Sequence, residues 1–187
     1  MAIIPWKVIR SIKENSYKVF DLRIDTAISP RTNREYDFYV LETTSWVNII
    51  PLTKDNEVIF VKQYRHGIRD ITLEIPGGMV EHNDTPYEAA LRELSEETGY
   101  FAEDAEFIGK VHPNPAILNN ECYTYLTRDV INSLNQNLDE REDIDVELIP
   151  LSDVISLIKE GKITHSLVIC AFYFLTLRYP SLIKGTF

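Results

Sequence analysis

Apolar and polar positions first alternate along two runs rich in aromatic and β-branched residues. YKVFDLRIDTAIS (17–29) and EYDFYVLETT (35–44) predict two strands, separated by the turn-forming SPRTNR. WVNIIPL (46–52) and VIFVKQYR (58–65) flank a second turn at TKDNE and predict a hairpin. ITLEIPGG (71–78) predicts a short strand that ends on glycines. The next segment carries helix signals at both ends. Thr85 suits the N-cap, Pro86 the first helical position, and Glu88 completes a Thr-x-x-Glu capping box. Gly99 suits the stop, so the spacing predicts a helix over 86–98. Three further strands are expected in AEFIGKV (105–111), ECYTYLT (121–127) and IDVELIPL (144–151). SDVISLIKEG predicts a helix with Ser152 as cap and Gly161 as stop, and a last helix covers 165–178, ahead of Pro180. Strands and helices mix without regular βαβ alternation. The expected class is α/β (α+β), with a mixed sheet packed between helices.

Composition narrows the function classes. With 187 residues the chain is long enough for one domain with a sizeable core. A net charge of −10 and the lack of a Lys/Arg run argue against nucleic acid and acidic membranes as partners. Two cysteines, Cys122 and Cys170, do not make a disulfide scaffold, and both read as small core residues. The start, MAIIPWKVIRSIKENS, lacks the apolar core and cleavage site of a signal peptide. The most apolar stretch, SLVICAFYFLTL (166–177), is too short to span a bilayer. A soluble cytoplasmic protein is expected.

One stretch stands apart. Between Gly77 and Tyr100 lie six acidic residues, and Glu93, Glu96 and Glu97 fall within five positions. On a helical wheel the three share one face, with Glu97 about 40° and Glu96 about −60° from Glu93. Tyr87, Ala90, Leu91, Leu94 and Thr98 form the apolar stripe. Ala89 falls inside the acidic face, where its small side chain leaves room for a ligand, and Arg92 flanks that face. Like charges one turn apart near a helix C-terminus repel and oppose the dipole. A solvated acidic face tolerates this. A hard divalent cation reverses it, because Mg²⁺ takes oxygen ligands and substrate phosphates. The preceding IPGG lets backbone approach such a ligand closely.

The stretch closely resembles the Nudix box, G-x5-E-x7-R-E-U-x-E-E-x-G-U, where U is bulky and apolar. Gly78 opens it, Arg92-Glu93-Leu94 and Glu96-Glu97 follow, and Gly99-Tyr100 close it. The one departure is Asp84, where the family has its first glutamate. That glutamate is mainly structural, so the change bears on loop geometry more than on chemistry. The resemblance implies a Nudix α/β/α sandwich over residues 44–187, preceded by an N-terminal β-rich segment (1–43) that helps form a homodimer. It implies Mg²⁺ or Mn²⁺ as cofactor. Glu93 and Glu97 would be the main ligands, assisted by Glu96 and the Gly77 carbonyl, with Arg92 orienting the glutamates.

The flanks LEIPGG, QYRHG and PNPAILNNECYTYLT resemble the branch that cleaves ADP-ribose and nucleoside-diphosphate sugars. Members often carry a proline about 15 residues past the box; here it is Pro115, followed by Ala116 instead of the common glycine. Arg65 matches a substrate-contacting arginine of the branch, and a guanidinium suits phosphate through paired hydrogen bonds. Glu74 would reach substrate or brace the site. Trp46 offers a ring for a base to stack on, although a single aromatic in a β-rich region is more often a core side chain. In the acidic segment LDEREDIDVE (138–147), the resemblance places a general base at Glu140, with Glu142 as its neighbour in that role. His112 reads as a strand-end residue. His66, His82 and His165 lack the spacing of a zinc site. Hydrolysis of nucleoside triphosphates or dinucleoside polyphosphates stays open, as does a ligand-sensing domain that binds without cutting.

Overall fold

A computed structural model describes residues 3–133 and 135–183, so the outer ends of the expected segments 1–43 and 44–187 lie outside it. The chain divides into two compact units. One holds the residues up to Thr44 together with His112–Glu121; the other holds Ser45–Val111 and the chain from Cys122 onward.

The first unit is an antiparallel meander of β1 (Lys7–Ser16), β2 (Asp21–Ile28) and β3 (Glu35–Glu42), in the order β1-β2-β3. β2 and β3 are the two strands expected from the alternation. Their connection behaves as its sequence requires: Ser29 Oγ accepts the N–H groups of Arg31 and Thr32, and Asn33 takes a left-handed φ of 56°. β1 was not expected. All ten of its residues are exposed, so no buried face imposed a period on its sequence. Within the same unit, Leu41 N–H donates to the Ile117 carbonyl at 2.7 Å and ties β3 to the 112–121 segment.

The second unit contains β4 (Trp46–Pro51), β5 (Glu57–Arg65), β6 (Asp70–Glu74), β7 (Gly77–Met79), α1 (Pro86–Thr98) and β8 (Tyr100–Phe101). It continues with β9 (Glu106–Val111), β10 (Cys122–Thr127), β11 (Ile131–Asn132), β12 (Ile144–Pro150), α2 (Val154–Lys159) and α3 (Ser166–Arg178). One sheet has the order β7-β4-β10-β9, with β4 and β10 parallel and the other pairs antiparallel. A second, antiparallel sheet has the order β12-β5-β6, and β8 and β11 form a short ribbon.

Two expectations need correction. β4 and β5 do not form a hairpin. The turn between them is real, with Asn56 at a left-handed φ of 57°, but only the single bridge Leu52↔Val58 joins the strands. β4 then enters one sheet and β5 the other, because both strands are buried on both faces and need neighbours of their own. Ser152 does not cap α2. Leu151–Asp153 form a 3-10 turn, and α2 starts at Val154 without a side-chain cap. Gly161 does follow the end of α2 with a left-handed φ of 71°.

The core lies in two clusters. Val47, Ile49, Ile59 and Tyr125 pack with Ala90 and Leu94 of α1. Ile50, Phe60 and Leu126 pack with Ile155 of α2 and with Phe172 and Leu175 of α3. Neighbouring residues of β4, β5 and β10 thus point to opposite sides, as the two-residue period of a strand demands. Each fully buried leucine, isoleucine or phenylalanine contributes about 1.5–3 kcal/mol. α1 is thereby fixed against β4 and β7. Among the described residues, no helix is long and apolar enough to cross a membrane.

Candidate active site

α1 is capped as its sequence dictates. Thr85 Oγ1 accepts the Glu88 N–H, the Glu88 carboxylate accepts the Thr85 N–H, and Gly99 closes the helix at φ 72°. These caps set the phase of the helix, and the phase decides which carboxylates turn inward. Glu93 and Glu97 are buried, at 9% and 4% exposure, while Glu96 is half-buried. Ala89 does not open the acidic face to a ligand. It is fully buried and belongs to the apolar core beside Ala90.

The Gly77–Gly78 strand covers the two buried carboxylates. Gly77 N–H donates to Glu97 Oε2 at 3.0 Å. A Cβ on Gly78 would lie 2.4 Å from Glu93 Oε1, so the missing side chain is what allows the carboxylate to sit there. Arg92 spans the other side. Its Nε donates to Asp84 at 3.0 Å, and one terminal nitrogen reaches Glu96 at 2.9 Å and Glu93 at 3.1 Å. Its other terminal nitrogen donates to the Met79 carbonyl.

Burial raises the proton affinity of both inner carboxyls. Glu93 is pushed up to about 7, mainly by burial, with Arg92 opposing and the charges of Glu96 and Glu142 adding. Glu97 is pushed up to about 8, again by burial first, with the Gly77 N–H opposing and Glu93 and Glu142 adding. The donor set is all hard oxygen, and these groups hold a proton where a cation would relieve the same cost. The residues therefore fit a divalent ion. Among the described residues, no three His, Cys, Asp or Glu side chains form a ready-made metal cage. Arg92 and the Gly77 N–H already occupy oxygens of the three helix glutamates.

A cleft of about 360 Å³ opens beside the glycines, lined by Trp46, Asn48, Arg65, Glu74, Met79 and His165 among others. Arg65 meets the buried Glu74 in a paired interaction, with both bonds at 2.8 Å, and Thr72 Oγ1 adds a third at 2.6 Å. Burial works against the Glu74 charge, but Arg65 and Thr72 outweigh it and hold the carboxyl below its usual range. His165 Nδ1 lies 3.7 Å from the same carboxylate. Burial, aided by Arg65 and opposed by Glu74, holds the His165 ring below its ordinary value and so neutral at pH 7.

The NUDIX domain model matches residues 43–172. The chain belongs to the NUDIX family. It is 30% identical over 176 residues to the methanol dehydrogenase activator of Bacillus methanolicus, covering 92% of this chain and 93% of that protein. It is 28% identical over 167 residues to the ADP-ribose pyrophosphatase of Bacillus subtilis (strain 168), covering 87% and 88% respectively. Its fold matches the crystal structure of an ADP compounds hydrolase with a TM-score of 0.84 over 98% of this chain and 100% of that one; at 18% identity this likeness concerns the fold.

In this NUDIX chain Asp84 accepts from Arg92, which ties the loop before α1 to the helix. The two loop acids differ. Glu140 is exposed, whereas Glu142 is half-buried and its charge acts on Glu93, Glu97 and Arg65. Trp46 is half-buried on the cleft wall. Pro115 belongs to the first unit, on an exposed turn where the Ile117 and Leu118 N–H groups donate to the Asn114 carbonyl. His112 lies in that unit too, with Nδ1 3.4 Å from the Asn120 carbonyl.

Sequence reasoning missed Asn48 and His165 in the NUDIX cleft. Asn48 Oδ1 and His165 Nδ1 are buried without a hydrogen-bond partner. Asn48 is the polar position in the otherwise apolar WVNIIPL, and that interruption was the available signal. Nothing local marked His165, which reaches Glu74 only through the packing of α3.

Proposed function

We propose that this protein hydrolyses the diphosphate bond of ADP-ribose or a related nucleoside-diphosphate sugar, giving a nucleoside monophosphate and a sugar phosphate. The observation that carries the reading is the placement of Glu93 and Glu97, buried beside Gly77 and Gly78, against a cleft that contains Arg65. The relatives, an ADP-ribose pyrophosphatase and an ADP-sugar pyrophosphatase among them, support the substrate class.

The family uses a divalent cation, and Mg²⁺ or Mn²⁺ is the proposed ion. Glu93, Glu97, Glu96 and the Gly77 carbonyl would hold it, and it would neutralise phosphate charge and make water more nucleophilic. Arg92 holds Glu93 and Glu96 in place. Arg65 receives a phosphate oxygen, and Trp46 gives the cleft a ring for stacking. Glu142 takes the proton of the attacking water. The new P–O bond forms as the bridging P–O bond breaks, and the leaving phosphate carries away the electron pair. Glu140 was the expected base; Glu142 is preferred because its charge reaches the helix carboxylates. Pro115 is proposed to tune substrate preference, which the ranking of ADP-sugars by a Pro115→Ala variant tests.

The protein is also proposed to act inside the cell as a homodimer formed through its N-terminal β-segment. β1 supports this, since it leaves Val8, Ile9 and Ile12 exposed along a fully exposed strand. A monomer mass by light scattering would remove the dimer.

The deciding experiment is a product assay on ADP-ribose, several nucleoside-diphosphate sugars and nucleoside triphosphates, with Mg²⁺ and Mn²⁺ separately. AMP and ribose phosphate formed by the wild type and lost in Glu97→Gln are expected. Cleavage of triphosphates alone would overturn the substrate, and binding without cleavage would make this a ligand-sensing domain.

A further inference from the structure

The last turn of an α-helix leaves backbone carbonyls without partners inside the helix. At the end of α1 the chain that follows β11 takes up two of them, and the carbonyl of the cap residue Gly99 as well. Gln136 donates from its side-chain amide to the Glu97 carbonyl at 2.6 Å, Asn137 N–H donates to the Glu96 carbonyl at 2.9 Å, and Ser133 N–H reaches the Gly99 carbonyl at 3.4 Å. The Gln136 amide also donates to the Ile144 carbonyl at 3.3 Å, where β12 begins.

One amide nitrogen therefore ties three things together: its own irregular segment, the backbone of Glu97 and the first residue of β12. Residues 137–143 run out and back between these points, as a loop closed at its neck. That loop carries Glu142. Its tip is a turn in which Glu142 N–H donates to the Asp139 carbonyl at 2.9 Å and the Glu142 carboxylate accepts the Asp139 N–H at 3.0 Å. The charge of Glu142 is felt by Glu93, Glu97 and Arg65.

We propose that Gln136 is a positioning residue that ties the neck of the Glu142 loop to the backbone of Glu97 and so sets where Glu142 stands relative to the helix carboxylates. The inference rests on the reading of Glu142 as the group that takes the proton from water. Gln136 is not among the residues that line the cleft. Its two donors are replaceable in length by methionine but not in hydrogen bonding, so Gln136→Met removes the tie without adding charge. The remaining backbone bonds of Ser133 and Asn137 keep the segment on α1.

The test compares wild type, Gln136→Met, Glu142→Gln and the double variant. Amide hydrogen exchange read by mass spectrometry comes first, because it does not depend on activity. Faster exchange over residues 138–143 in Gln136→Met, with α1 and β12 unchanged, is expected. Unchanged exchange there overturns the proposal whatever the kinetics show. On ADP-ribose, Gln136→Met is expected to lower kcat about tenfold, with KM and the metal activation midpoint within about twofold. The double variant is expected to be no slower than Glu142→Gln, since a residue that acts through another adds nothing once the other is gone. Fully multiplicative losses, or a loss confined to KM or metal activation, would overturn it. Full activity of Glu142→Gln would instead show that the reading of Glu142 has failed, while the exchange result still decides whether Gln136 ties the loop.

Discussion

The guanidinium of Arg65 lies against the carboxylate of Glu74 with two bonds of 2.8 Å, Nε to Oε1 and a terminal nitrogen to Oε2. Glu74 is 3% exposed while the Arg65 side chain is 43% exposed, so the pair has a buried anion and an open cation. On the function proposed above, the open half of the guanidinium would meet an anionic substrate. Arg65→Lys keeps the charge but loses the planar fork. It is expected to raise KM for ADP-ribose about tenfold or more. Arg65→Met strands the buried carboxylate and is expected to destabilise the fold by about 2 kcal/mol, seen as a lower melting temperature. A KM unchanged in both variants would remove Arg65 from substrate binding.

The two glycines before α1 predict opposite phenotypes. A Cβ on Gly77 would meet the backbone carbonyl of Val47 at 2.3 Å, which cannot step aside. Gly77→Ala is expected to lower the melting temperature by several degrees. The nearest atoms to a Cβ on Gly78 all belong to the end of the Glu93 side chain, which can swing away. Gly78→Ala is expected to fold with a near-normal melting temperature, and to need about tenfold more divalent cation for half-maximal activity. Melting curves and metal titrations on both variants separate the two effects.

Without divalent cation, the buried carboxyls make stability depend on pH. Glu93 and Glu97 rise from an ordinary 4.5 to about 7 and about 8 in the fold. Between these values the folded protein holds more protons than the unfolded chain, so their contribution is present below about pH 4.5 and is lost as pH rises toward 8. Melting temperature in a chelator is expected to fall across that interval for the wild type and much less for a Glu93→Gln/Glu97→Gln variant. Mg²⁺ is expected to restore most of the loss near pH 8 by linkage. Equal slopes for the wild type and the variant would contradict this.

The loop acids differ in their surroundings, and so should their substitutions. Glu142→Gln is expected to lower kcat about 100-fold or more, while Glu140→Gln stays within about twofold of wild type. The reverse pattern in steady-state rates would move the base to Glu140.

The parts of the site that were legible in the sequence are local. The caps of α1 follow from Thr85, Glu88 and Gly99, whose partners lie within one helical turn. The sharing of one helix face by Glu93, Glu96 and Glu97 follows from spacing alone. The depth of Glu93 and Glu97 does not, since β7 covers them and an acidic pattern reads as solvated. For the same reason Ala89 was placed in an open face, although strand residues far away in the chain bury it. The β4–β5 turn was legible in TKDNE, but the divergence of the two strands depends on partners contributed by β10 and β12. β1 gave no signal because none of its side chains is buried.

The alternation along β4 has an evolutionary meaning. Val47 and Ile49 pack in the cluster under α1, while Trp46 and Asn48 line the cleft, where Val47 also contributes. One strand thus keeps two accounts of selection on alternate residues. On the function proposed above, exchanges at Trp46 or Asn48 are expected to redirect which molecule is accepted while the helix that carries the carboxylates keeps its footing. A gain or loss of one residue within β4 would swap the two sets and ruin both at once. Divergence of ligand preference in a lineage with this layout is therefore open to point substitution and closed to length change.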